Sequence, residues 1–241
     1  MDSSTSNSAR IIRKREQTEH MFNKIAGKYD FLNHFLSAGI DIKWRKEAIA
    51  MLIPDNPKHI LDIATGTGDL AIEALILNPD KVIGVDIAEN MLKVGRKKIQ
   101  NKKLNNLLEL KQADVSSLPF KENTFDAVTV AFGVRNFEDL TLGLREMNRV
   151  LKPEGKVVIL EFSNPKKFPI KQLYNFYFNG ILPAIGKLVS SHDSAYTYLP
   201  ESVKAFPDGE SFKRKLEETG YRSITIKELT LGIASIYTGI K

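Results

Sequence analysis

Gly66-Thr67-Gly68 is followed, 20 residues after Gly66, by Asp86. Glycines at 66 and 68 let the backbone approach a ligand with no Cβ in the way, and a helix opening there presents unpaired N–H groups beside it. A carboxylate about 20 residues on is placed to take the hydroxyls of a ribose. Together these residues describe a site for an adenosine-type ligand. The run Gly66 to Ala71 also fits the dinucleotide pattern G-x-G-x-x-G/A, so a plain dinucleotide turn with Asp62 as a capping residue is one reading. Asp62 favours another, because a carboxylate inside the preceding strand, four residues before Gly66, suits a cationic ligand better than a pyrophosphate. Farther along, Asp114 is placed to accept from an adenine amino group and the Val115 N–H to serve a ring nitrogen. S-adenosylmethionine combines an adenosine with a positive charge, and Asp62, Gly66, Thr67, Gly68, Asp86, Asp114 and Val115 are its expected binding residues.

Such residues need a frame. Ile60 to Ala64 reads as a short buried strand, and Leu70, Ala71, Ala74, Leu75 and Leu77 recur at helical spacing until Asn78-Pro79 stops them. Val82 to Val85 is a second strand ending on Asp86, which makes one right-handed βαβ unit from Ile60 to Asp86. A helix from Met91 to Gln100 follows, started by Ala88-Glu89-Asn90. Its outer face and the residues just beyond carry Lys93, Arg96, Lys97, Lys98, Lys102 and Lys103, a run that reads as a solvated face more readily than as a phosphate site. Strands are expected at Leu107 to Lys111, Phe125 to Ala131 and Lys156 to Phe162. A helix is expected at Leu140 to Val150, with Lys152-Pro153-Glu154-Gly155 as the turn after it. Ser223 to Glu228 and Ile233 to Gly239 suit an antiparallel pair. Ahead of the first strand, a stripe from Met21 to Tyr29 and a helix from Ile42 to Leu52 are placed to lie over the crevice at the carboxyl ends of the strands. Tyr29 and Trp44 are then either lid residues or aromatic core anchors.

The 241 residues fit one α/β domain over 21–241, preceded by a flexible basic tail over 1–20. Hydrophobic residues make up 42% and charged residues 27%, as in a soluble globular chain, and no apolar run is long enough to span a bilayer. The start lacks the apolar core of a signal peptide, so a cytoplasmic protein is expected. With no cysteine and four scattered histidines there is no thiol nucleophile, disulfide or metal-ligand spacing, and no metal is expected. The net charge of +6 permits an anionic partner, a membrane surface or a nucleic acid, without requiring one.

The segments LDIATGTGDL, IGVDIAENML, ADVSSLPFKENTFDAVTVAF and VLKPEGKVVILEF resemble, in order, those of class I S-adenosylmethionine-dependent methyltransferases. More narrowly, FNKIAGKYDFLNHFLSAGIDIKWRK, AFGVRNFED, LEFSNP and SAYTYLPESVKAFPDGE look like the C-methyltransferases of menaquinone and ubiquinone biosynthesis, a likeness covering about residues 20 to 241. Ala64 stands where the wider class carries the first glycine of its motif, a departure the quinone branch tolerates. The resemblance implies a doubly wound, Rossmann-like seven-stranded sheet with an antiparallel last strand and N-terminal lid helices. It also implies methyl transfer to a ring carbon of demethylmenaquinol, and Tyr29 and Ala131 join the donor-binding residues. A quinol becomes carbon-nucleophilic as a hydroxyl loses its proton, so the site needs a group for the forming phenolate and a route for the proton. Arg135, just after the fourth strand, is the leading phenolate stabiliser, against an ion pair with Glu138 or Asp139. His34, Tyr196 and His192 are weaker candidates for proton handling.

Residues 165–204 form an insertion rich in aromatics and lysine. It is expected to face a polyprenyl naphthoquinol and the cytoplasmic face of the membrane, or to pack as core or as a homodimer helix. Nucleic acid is not an expected partner, since no RNA-binding module is visible. An RNA or other small-molecule methyltransferase, and a non-catalytic ligand-binding protein of the same fold, use the same motifs and stay open at this point.

Overall fold

The computed structural model describes residues 16–28, 37, 39–176, 180 and 194–241. Residues 16–25 form helix α1. In chain order there follow α2 (Ile40–Ala50), β1 (His59–Ile63), α3 (Asp69–Glu73), β2 (Lys81–Asp86), α4 (Glu89–Asn101), β3 (Leu108–Gln112) and β4 (Phe125–Ala131). The chain continues through α5 (Leu140–Val150), β5 (Leu151–Phe162), α6 (Ile170–Phe176), α7 (Ser194–Ala205), α8 (Glu210–Glu218), β6 (Arg222–Leu229) and β7 (Ala234–Ile240).

The strands form one seven-stranded sheet in the order β3-β2-β1-β4-β5-β7-β6. Strands β1 to β5 pair in parallel, and β7 runs antiparallel to both β5 and β6. Successive strand residues point to opposite faces, so an apolar strand in the middle of such a sheet feeds two cores at once. Val157 and Ile159 of β5 pack with Leu144, Met147 and Phe212 from α5 and α8, whereas Val158 and Leu160 pack with Trp44, Ile49 and Leu92 from α2 and α4. Strand order reverses between β1 and β4, and the crevice outside their carboxyl ends is where a doubly wound sheet takes a ligand.

Three local departures from the sequence reading have physical causes. The helix after the glycine turn is only Asp69–Glu73; the chain tightens into a 3₁₀ turn over Ala74–Leu77 and ends on Asn78 with φ 51°, ahead of Pro79. Strand β5 begins at Leu151, so Lys152 to Gly155 is an irregular stretch inside a strand. Leu151 pairs with Phe125, and regular pairing resumes at Lys156 with Ala127, with Glu154 at φ 63° between them. The tail gives way to helix by residue 16, and Thr18 is buried. Burial of Thr18 and the packing of Phe22 and Ala26 against Ala88 and Met91 draw this segment onto the domain.

Candidate active site

A crevice of about 790 Å³, open to solvent, lies at the ends of β1, β2 and β4. Ala64 and Gly66 from the β1 turn, Asp86, Asp114 and Val115, and Ala131, Gly133 and Asn136 after β4 all line it. Thr18 and Phe22 of α1 lie over it.

The glycine turn works through its backbone. Ala64 takes φ 51° and Gly66 φ 58°, so the chain turns sharply out of β1, and Thr65 N donates to Val85 O at 3.0 Å. One Asp86 oxygen accepts from Gly66 N and the other from Ala88 N, both at 2.8 Å, which ties the second strand to the turn and fixes the carboxylate at the crevice wall. Burial raises its pKa, opposed by those backbone donors. The carboxylate lines the crevice, where a carboxylate acceptor fits the hydroxyls of the ribose of an adenosine ligand. Asp114 accepts from the Ser116 N–H at 2.8 Å and hydroxyl at 2.7 Å, a turn that holds it and Val115 at the rim. Ala64, a non-glycine residue in left-handed backbone, has room for its Cβ because position 133 is glycine. A Cβ on Gly133 would stand 2.5 Å from that of Ala64.

Asp62 lies beneath the turn, fully enclosed, and accepts from the hydroxyls of Thr65 at 2.6 Å and Thr129 at 2.7 Å. Burial pushes its carboxyl up to about 6, against those two hydroxyls and the Arg45 guanidinium. A second cavity of about 330 Å³ touches Asp62, Thr67 and Arg45 and shares Ala64, Gly66 and Ala131 with the larger crevice. Gly68 lines neither space; at φ 84° it is the N-terminal cap of α3, so its part is conformational.

The run of lysines and arginine on α4 is only in part a solvated face. Lys98 donates to Asp69 at 2.7 Å and to the Thr67 hydroxyl at 3.0 Å, and Arg96 donates to Leu110 O at 3.1 and 3.2 Å and to Glu89. Two of the six basic residues therefore clamp α4 to the glycine turn and to β3.

Arg135 faces inward. Its Nη1 donates to Glu161 at 2.5 Å and to Phe132 O at 2.6 Å, its Nε to the Ser202 hydroxyl at 3.2 Å, and its guanidinium lies 5.4 Å from the Phe162 ring centroid. The two side chains are 6% and 0% exposed, and Arg135 is not among the residues lining the crevice. Its ion-pair partner is thus Glu161 on β5, neither Glu138 nor Asp139. The next residue, Asn136, does line the crevice, and its side-chain oxygen accepts from the Tyr198 hydroxyl at 2.9 Å. Burial raises the Tyr198 pKa, partly offset by a hydrogen bond from Thr18. Asn136 and Tyr198 escaped the sequence reading because they meet across 62 residues, although both lie in motifs already singled out.

Trp44 is a core anchor: it is buried, packs against Phe132 and Phe162 with centroids 6.2 Å away in each case, and donates to the Thr230 hydroxyl at 2.9 Å. Tyr29, His34 and His192 lie outside the described residues. So does the side chain of Tyr196, whose backbone is in α7.

Residues 10–241 match the model of the ubiE/COQ5 methyltransferase family. The chain belongs to this family. Among relatives, the demethylmenaquinone methyltransferase of Bacteroides fragilis is 49% identical over 95% of this chain and 94% of its own length, and that of Porphyromonas gingivalis is 46% identical over the same shares. The ubiquinone/menaquinone biosynthesis C-methyltransferase UbiE of Geobacter sulfurreducens is 44% identical over 96% of this chain and 91% of its own. Among solved structures, an S-adenosylmethionine-dependent methyltransferase of Thermotoga maritima superposes with a TM-score of 0.64 at 19% identity, covering 92% of this chain and 99% of that one. That likeness establishes the fold: a Rossmann-like methyltransferase sheet with its last strand reversed.

Proposed function

We propose that the chain transfers a methyl group from S-adenosylmethionine to a ring carbon of demethylmenaquinol, giving menaquinol. The chain is an S-adenosylmethionine-dependent C-methyltransferase of quinone biosynthesis. What supports the finer reading is a single arrangement: Asp86, which suits a ribose, and Asn136, held by the Tyr198 hydroxyl, line one continuous crevice, in a chain nearly half identical to demethylmenaquinone methyltransferases.

When bound, the donor supplies an electrophilic methyl group on a sulfonium. The residues of the chain supply the rest. Asp86, Asp114, Val115 and the Gly66 backbone hold the adenosine; Asp62, Thr67, Ala131 and the conformation imposed by Gly68 shape the space for its charged end. Phe22 and Thr18 cover the crevice, so donor and acceptor meet with little water, and alignment of this kind supplies up to about 7–11 kcal/mol. On the β4 side the Asn136 amide is the polar group that meets a quinol oxygen as its proton leaves, its own oxygen held by the Tyr198 hydroxyl, and its hydrogen bond strengthens as charge builds there. Arg135 already has its charge matched by Glu161, so it acts as a positioning residue: it fixes the Val134–Asn136 turn that presents Asn136.

Phe168, Leu173 and Phe176 are 80%, 61% and 68% exposed at and beside α6, among the exposed Lys166, Lys167 and Lys171. Aromatic and aliphatic side chains interleaved with lysines suit the interface of an anionic bilayer, the place where a polyprenyl quinol resides, so the proposed place of action is the cytoplasmic membrane surface. No helix among the described residues is long and apolar enough to cross a membrane.

The test is an assay with methyl-labelled donor and reduced demethylmenaquinone in anionic vesicles. Label should enter menaquinol and not added RNA; label in RNA alone would sink the reading. In the same assay Phe168→Ser with Phe176→Ser should lower vesicle binding about tenfold or more, given about 0.8 kcal/mol per withdrawn CH₂. Unchanged vesicle binding together with a changed oligomeric state would assign that face to a second copy.

A further inference from the structure

Helix α1 meets the domain at two places. At one, Phe22 and Ala26 pack against Ala88 and Met91, and Asn90 donates its backbone N–H to the Asn23 side-chain oxygen at 2.8 Å and its side-chain amide to Asn23 O at 3.3 Å. At the other, the buried Thr18 lies over the crevice, and its hydroxyl is hydrogen-bonded to that of Tyr198 on α7. The first set of contacts holds the helix down without Thr18, so the second is left to explain.

Counting hydrogens gives that contact a direction. A tyrosine hydroxyl has one hydrogen to donate and lone pairs with which to accept. Tyr198 donates its hydrogen to the Asn136 side-chain oxygen at 2.9 Å, so the hydrogen between Thr18 and Tyr198 belongs to Thr18. Burial pushes the Tyr198 pKa up, which keeps its proton in place, and the Thr18 bond opposes that rise, as a bond donated to the phenol oxygen does. The line of donors therefore runs one way, from Thr18 through Tyr198 to Asn136. Its last member is the one whose sense matters, because an amide side chain accepts at one end, donates at the other, and has nearly the same shape when reversed. With its oxygen taken by Tyr198, Asn136 turns its NH₂ the other way, where one hydrogen points to Phe132 O at 3.5 Å and the second serves a ligand in the crevice. Without the Thr18 hydroxyl, Tyr198 is free to accept from Asn136 instead, and the amide reverses.

We propose that Thr18 is a positioning residue for methyl transfer: its hydroxyl fixes the sense of the Tyr198–Asn136 hydrogen bond and so aims the Asn136 NH₂ at the acceptor oxygen. The proposal rests on the reading that Asn136 meets that oxygen. A reversed amide would set a lone pair against the forming phenolate, where a hydrogen bond is needed, so the cost falls on the transition state more than on binding. Helix α1 thereby takes part in the chemistry besides covering the crevice.

Steady-state kinetics with S-adenosylmethionine and reduced demethylmenaquinone in anionic phospholipid vesicles test this, with calorimetry of S-adenosylhomocysteine alongside. Thr18→Val keeps the shape and removes the donor. Its kcat at saturating quinol should fall about three- to tenfold, the worth of one neutral hydrogen bond, with the quinol KM and S-adenosylhomocysteine affinity within about twofold of wild type. Thr18→Ser restores the hydroxyl and should return kcat to within about twofold of wild type. Tyr198→Phe should cost at least as much as Thr18→Val, and adding Thr18→Val to it should cost less than about twofold more, because the line of donors is already cut. Thr18→Val with unchanged kcat overturns the proposal, as does a serine no better than valine. Losses that multiply in the double variant overturn it too, since they mean two independent contacts. So does a fall in donor affinity in step with kcat, which would leave Thr18 only a fastening for α1. Should Thr18→Val not fold, Thr18→Ser and Thr18→Ala decide: equal kcat overturns the proposal, and a serine at least about threefold faster supports it. Asn136→Ala with full kcat would instead sink the acceptor reading itself.

Discussion

On the β1–β3 side of the crevice, ligand-facing groups are held mostly by near neighbours, and on the β4–β5 side by residues far off in the chain. Asp86 is anchored to Gly66 and Ala88, and Asp114 to Ser116, all within one βα turn or one βαβ unit. Asn136, by contrast, is oriented by Tyr198 across 62 residues, and Arg135 by Glu161 across 26 and Ser202 across 67. The first side is built from backbone N–H groups and survives on spacing alone. The second is built from side-chain pairs, and its geometry exists only when α7 and the β5 strand are in place. The sides proposed for adenosine recognition and for acceptor chemistry thus rest on different kinds of order, one local and one tertiary.

The sharpest way to break that contrast is at Arg135. Arg135→Ala leaves Glu161 buried without its partner, and loss of one member of such a pair destabilises by about 3–5 kcal/mol, which urea unfolding measures. Replacing both, Arg135→Met with Glu161→Leu, should recover most of that stability, as apolar replacements of buried ion pairs do. Arg135→Lys keeps the charge opposite Glu161 and loses the planar fork. A folded Arg135→Lys enzyme should hold donor affinity and lose about tenfold in kcat at saturating quinol, the scale of a weakened transition-state hydrogen bond. Unchanged kcat would leave the arginine a purely structural residue.

On the local side, Asp86→Asn should keep the fold and weaken donor binding by about 1.5–3 kcal/mol, the value of hydrogen bonds to a charged group, read by calorimetry. If affinity is unchanged, the carboxylate serves only to pin the turn, and the local side would owe its ligand contacts to backbone alone.

The smallest effect concerns pH. Because burial pushes the Asp62 carboxyl up to about 6, a ligand ammonium finds it ionised above that value and protonated below it. Donor affinity should therefore fall as pH drops from 7 to 5, by at most about tenfold per pH unit. Stability runs the other way for this group. Its folded pKa lies above the unfolded one, so the native state holds the extra proton between about pH 4 and 6, and the contribution of Asp62 to stability declines as pH rises through that window. Asp62→Asn should flatten both profiles, leaving the dependence that the raised Asp86 carries. A wild-type affinity flat from pH 5 to 7 would remove Asp62 from the charged end of the donor.

The same division explains what could be read from the sequence. Strand β4 and helix α5 fall on the expected residues, since a β-branched run and a 3.6-residue apolar stripe with Asp139 capping it, accepting from Leu142 N at 2.9 Å, are local signals. The glycine turn and Asp86 were legible for the same reason. The partner of Arg135 was not, because Glu138 and Asp139 are near in sequence and Glu161 is near only through the parallel pairing of β4 with β5. Lys98 and Arg96 were expected to be solvated because composition carries no information about which turn of α4 rests on Thr67 and Leu110. Arg45 gave no signal at all: on α2 it is one base in a helix with little amphipathic contrast, and only the fold sets it beside Asp62.

The place of β7 in the sheet sets an order on how the protein is made. This strand lies between β5 and β6, and β6 has no other neighbour in the sheet, so neither edge can close until Ala234–Ile240 has been synthesised. A ribosome thus delivers the β1–β4 frame with its glycine turn first, while the apolar run Val157–Leu160 waits with one bare edge. Such an edge is a template for pairing with another chain. Slow translation between β5 and β7 should consequently favour aggregation of the nascent protein.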